Sequence, residues 1–195
     1  MANICDQRVI IAANTKEDMA EVLEKMCQNV LDSPNGEEYF SKKDLENAKG
    51  DADALYELAK SPCGTMNLLC FFAKEPDSRV ESGWMGWRIE SVAGHPVIEI
   101  EIGVKWGDSF DPGKFCEKLD KGRFGYSISA GGEASEWMGL SIDDDWIEAK
   151  DLEDAVAKSN KAKNQAKSLD KIAYHVNLAG VTPDFYADAA DCADW

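Results

Sequence analysis

The sequence predicts an α+β protein with one main core. Three observations carry this: a β-branched run from Arg8 to Ala13, a helical apolar stripe immediately after it, and strict alternation of Ile98, Ile100 and Ile102 with Glu99 and Glu101 further on. A chain of 195 residues, 44% of them apolar, is the length of one ordinary domain, or of one domain with appendages, and has enough hydrophobic side chain to offset the entropy of folding.

The elements follow in order. After the first strand, Thr15 stands as N-cap to a helix with acids in its first turn. Met19, Val22, Leu23, Met26, Cys27, Val30 and Leu31 recur at steps of three and four, which places them on one helical face turned to the core. Ser33-Pro34-Asn35-Gly36 is a turn signal, and Ser41 then caps a second helix reaching about Lys60, interrupted by Gly50. Its thin stripe of Leu45, Ala48, Leu55, Leu58 and Ala59 reads as a helical insertion over about residues 34–62.

Met66 to Ala73, Gly83 to Val92 and Pro96 to Trp106 read as sheet, the last two joined at Ala93-Gly94-His95. Alternation turns Glu99 and Glu101 together to one sheet face, expected to be solvated. Asp111-Pro112 opens a helix carrying Phe115, Cys116 and Leu119 and closed by Gly122, after which Phe124 to Ala130 resumes as strand.

Beyond Gly131-Gly132 the chain turns acidic, with Glu133, Glu136, Asp143, Asp144, Asp145, Glu148, Asp151, Glu153 and Asp154 against one base, Lys150. Lys158, Lys161, Lys163, Lys167 and Lys171 then mark a long exposed helix, and Thr182-Pro183 opens a last short one in an aspartate-rich tail ending on Trp195. Residues 1–140 are thus expected to form the main domain, and 141–195 a charged helical extension packed on it.

The order strand, helix, strands, helix, strand is that of a ferredoxin-like βαββαβ fold, an antiparallel sheet with helices on one face. The opening Met1-Ala2-Asn3-Ile4-Cys5-Asp6-Gln7-Arg8-Val9 resembles the start of the YubB ferredoxin-like family of phage and plasmid proteins, with Ile4 where that family has Trp. Lys105-Trp106-Gly107, the helix after Pro112, and Glu136-Trp137-Met138-Gly139 look like its Trp-containing turn, second helix and closing glycine-rich motif. The resemblance spans about two thirds of the chain in short pieces. It implies the ferredoxin-like fold and a mobile-element origin, and no activity.

Charge and chemistry narrow the function. A net charge of −16 repels phosphates and anionic membranes, so direct nucleic-acid or membrane-surface binding is not expected; the same charge also serves solubility. With no apolar run long enough to span a bilayer and no secretory leader, a cytoplasmic location is expected. Six scattered cysteines without a CxxC pair predict reduced thiols, not a zinc or redox site.

No phosphate loop is present, and Asp143-Asp144-Asp145 lacks the spacing of a calcium loop, so neither cofactor nor metal is expected. The histidines are His95, read as an exposed turn residue, and His175, read as a strand or helix end. An enzyme would need Glu99, Glu101, His95 or Cys116 brought together by the fold. The favoured reading is a non-enzymatic module that binds a basic protein through Glu133, Glu136, Trp137, Asp143, Asp144, Asp145, Trp146 and Glu148, inhibiting a nucleic-acid-binding host defence protein by charge mimicry. A toxin immunity protein, an enzyme of unrecognised type and a virion component are the alternatives.

Overall fold

The computed structural model describes residues 4–34, 36–60, 71–72, 79–92, 94–105, 112–132, 139–142, 145–148 and 168–180. Strands are β1 (Ile4–Ala13), β2 (Arg79–Val92), β3 (His95–Lys105), β4 (Phe124–Gly132), β5 (Gly139–Ile142) and β6 (Asp145–Glu148); helices are α1 (Lys16–Leu31), α2 (Lys42–Ala48), α3 (Ala52–Lys60), α4 (Gly113–Cys116) and α5 (Leu169–Gly180). The architecture is α+β. One sheet holds all six strands in the order β2-β3-β1-β4-β5-β6, and every neighbouring pair is antiparallel.

α1 begins where Thr15, in extended backbone, accepts a hydrogen bond from the Asp18 amide at 3.1 Å, with Glu17 and Asp18 set against the positive end of the helix. All seven residues of its apolar stripe are buried. Each such side chain contributes roughly 1.5–3 kcal/mol by leaving water, so the stripe fixes the helix against the sheet. Ser41 and Asp44 form a reciprocal capping box at α2. Replacing Ser41 by Ala is expected to cost about 1 kcal/mol, read as a lowered urea midpoint without a change in slope.

The expected single helix to Lys60 is two helices. Gly50 takes φ 76°, a left-handed conformation open to glycine, and the Asp51 carboxylate accepts from the Asp53 and Ala54 amides at 3.0 and 3.2 Å to start α3. Another departure is α4, which lasts four residues and continues as turns, although Phe115, Cys116 and Leu119 are buried as its pattern requires. Of the apolar run 66–73, only Phe71 and Phe72 are described; both are buried and neither lies in a strand.

Alternation assigns the two sheet faces. Val9, Ile11, Ile98, Ile100, Ile102 and Phe124 meet α1, α2, α3 and α4 in the larger core. The opposite face is not open, as a sheet with helices on one side would leave it. Ile10, Ala12 and Val97 pack there against Ile172, Ala173 and Val176 of α5. A sheet centre covered on both sides excludes water, and Arg8 through Ala13 of β1 are all buried.

The region expected to begin a helical extension instead adds two strands, β5 and β6, to the same sheet across residue 140. The lysine-rich stretch 158–167 and the tail 181–195 lie outside the described residues. Among the described residues, no helix is long and apolar enough to cross a membrane.

Arg123, just before β4, donates to Asp18 and to Glu21 of α1 at 2.7 Å each. Partial burial pushes the Asp18 carboxyl up, but the Arg123 hydrogen bond and Thr15 outweigh it and leave its pKa below the ordinary value. Lys25 first and Arg123 second hold Glu21 low as well. Carboxyls depressed in the folded state stabilise it above their unfolded pKa and lose that contribution as pH falls through the folded one. Arg123→Gln is therefore expected to lower stability at neutral pH, with the gap from wild type closing as pH falls below about 4. Urea unfolding at a series of pH values measures this.

Candidate functional site

The acidic segment reaches the edge of the sheet. Asp145, Trp146 and Glu148 lie on β6, the last strand in the order, where Asp145 faces Ile142, Trp146 faces Ser141 and Glu148 faces Gly139 of β5. Among the described residues β6 pairs with β5 alone. Glu133, Glu136, Trp137, Asp143 and Asp144 lie outside the described residues.

The groups an enzyme would need are divided between the two faces of the sheet. Cys116 sits in the core beneath α1, whereas Glu99 and Glu101 belong to the opposite sheet face, so β1 and β3 stand between them. Cys27 is equally unsuited to nucleophilic work, because burial, and then Glu24, push its thiol up to about 12. His175 lies within α5, not in a strand or at a helix end. His95 is half-buried as the first residue of β3, not an exposed turn residue, and its Nδ1 is buried with no hydrogen-bond partner among the described residues. Among the described residues no group of three or more His, Cys, Asp or Glu side chains is placed to hold a metal ion.

What the fold does assemble is a buried polar network beneath α5. The expectation that Glu99 is solvated with Glu101 fails: Glu99 is 2% exposed and pairs with Arg8, itself 1% exposed. Register explains the meeting, since Arg8 stands opposite Glu101 on β3 and one step diagonal to Glu99. The Arg8 Nε lies 3.2 Å from Glu101 Oε1, and Glu101 remains partly in solvent.

The third arm of the guanidinium donates from Nη1 to the Asn177 carbonyl at 2.7 Å. That carbonyl belongs to the last turn of α5, so a cation there complements the negative end of the helix dipole. Asn177 completes the network. Its Oδ1 accepts from Ser129 Oγ at 2.7 Å and its Nδ2 donates to Ser127 Oγ at 3.0 Å, with both serines and Asn177 fully buried.

A buried Arg–Glu pair that also holds the Asn177 carbonyl ties α5 to β1 and so fixes the helix on the sheet. Sequence reasoning passed over Arg8, Ser127, Ser129 and Asn177. The available signal was a charged residue inside a β-branched run and two serines on alternate positions of one strand. No family model matches this chain, and neither a curated protein nor a solved structure matches it.

Proposed function

We propose that this chain is a non-enzymatic acidic module that binds a basic protein. The observation carrying this reading is the position of Asp145–Glu148. Part of the acidic, tryptophan-bearing stretch of a chain with net charge −16 supplies the last strand in the order of the described sheet, and an outer strand is where a partner's strand can pair. The strand order β2-β3-β1-β4, antiparallel throughout, is compatible with a ferredoxin-like frame to which β5 and β6 are added. The resemblance to phage and plasmid proteins points to a mobile-element origin, and a nucleic-acid-binding host defence protein is the partner that charge mimicry fits best.

Attraction of this kind steers association and is screened over about 8 Å at physiological salt. A tagged chain is expected to retain a basic protein from bacterial lysate at low salt and to release it at high salt. Charge reversal of Asp143, Asp144 and Asp145 to Lys is expected to slow association by about tenfold or more without unfolding the protein. If association with the captured protein is unchanged by that triple reversal, the acidic edge is not its binding surface.

A further inference from the structure

Where β1 ends and β3 begins, a cleft of about 330 Å³ lies against the start of α5, with Asn14, His95, Lys121, Ser168 and Asp170 among its walls. We propose that it binds a small zwitterion of free amino-acid size, taking the carboxylate at Lys121 and the ammonium at Asp170. The volume is at the small end of the range of ligand sites, which suits a ligand of that size.

The walls are held in place before any ligand arrives. Asn14 donates through its backbone amide to the Arg123 carbonyl at 3.0 Å and through Nδ2 to the Gly122 carbonyl at 2.9 Å, while the Gly122 amide donates to Asp120 Oδ1 at 2.9 Å. Across the cleft, the Tyr126 amide donates to Asp170 Oδ1 at 3.3 Å, which fixes that carboxylate and leaves Oδ2 open. Such a frame loses little entropy when a ligand enters.

Charge identifies the ligand class. Lys121 makes no hydrogen bond or ion pair among the described residues, and Asp170 has only the Tyr126 amide, so the cleft holds one positive and one negative group that do not neutralise each other. A plain anion would be opposed by Asp170 and by the net charge of −16; a plain cation would find many other carboxylates on the surface. A molecule carrying both charges a few ångströms apart meets both. His95 adds a third point, since its half-buried imidazole lines the same cleft and offers a ligand a further hydrogen-bonding group.

The test uses the full chain and titration calorimetry with each free L-amino acid singly, with acetate and methylammonium as ligands carrying one charge only. At least one amino acid is expected to bind one to one with Kd below about 1 mM, at least tenfold tighter than acetate or methylammonium. Lys121 is exposed, so Lys121→Gln should keep the fold and weaken that binding by tenfold or more. The assignment is overturned if no amino acid binds, if acetate or methylammonium binds as tightly as the best amino acid, or if Lys121→Gln leaves Kd unchanged.

Discussion

Replacing Arg8 by Met is expected to destabilise the protein by about 3–5 kcal/mol, because the substitution removes one member of a buried ion pair and leaves the other without its counter-charge. Glu99, 2% exposed, would keep its desolvation cost and lose its cation, and the last turn of α5 would lose the donor to the Asn177 carbonyl. In a domain of this size that corresponds to a fall in Tm of roughly 10 °C. The companion variant decides the cause. Arg8→Met with Glu99→Leu removes both charges together and is expected to recover most of the loss. A double variant no more stable than Arg8→Met alone would place the cost elsewhere, in packing or in the anchoring of α5.

The second large effect is expected at Gly125. A methyl group there would lie 2.2 Å from the Asp170 amide nitrogen and 2.2 Å from the Leu169 carbonyl carbon, both backbone atoms of the first turn of α5. Backbone cannot rotate aside as a side chain does, so Gly125→Ala forces the helix outward and disturbs its seat on Ile10, Ala12 and Val97. Overpacking of this kind costs about 1–3 kcal/mol. The loss should be local: hydrogen exchange in Leu169–Gly180 is expected to speed up by roughly tenfold to a hundredfold while α1 stays protected. Unchanged exchange across α5 would mean that the helix does not lie against β4 as described.

Much of the frame was legible because it rests on period and on caps. The three- and four-residue spacing of Met19 to Leu31, the Thr15 and Ser41 caps and the alternation of Ile98, Ile100 and Ile102 all describe short-range physics, and each is realised. Alternation gives the parity of Glu99 but not what covers that parity, so its burial was missed. A clue was present, since an unbroken apolar run such as Val9 to Ala13 is the mark of a strand covered on both faces.

The covering helix was hidden for a related reason. Leu169, Ile172, Ala173 and Val176 have helical spacing, yet four lysines precede them and Lys171 falls among them, so the stretch reads as solvated. The close approach at Gly125 has no sequence signature beyond a glycine in a strand. Charge density marked the segment from Glu133 to Asp154 as a candidate surface, but charge carries no topology; that Asp145–Glu148 forms the sheet edge follows only from strand pairing.

The bond from Arg8 to the Asn177 carbonyl spans 169 positions of sequence. During synthesis β1 leaves the ribosome early, yet its second face stays open until α5 has also been made, and at ordinary elongation rates that delay is on the order of ten seconds or more. Throughout that interval Arg8 and Ile10 belong to a nascent chain with an unclosed hydrophobic surface. The arrangement thus makes the late arrival of one helix the step that ends exposure of the first strand.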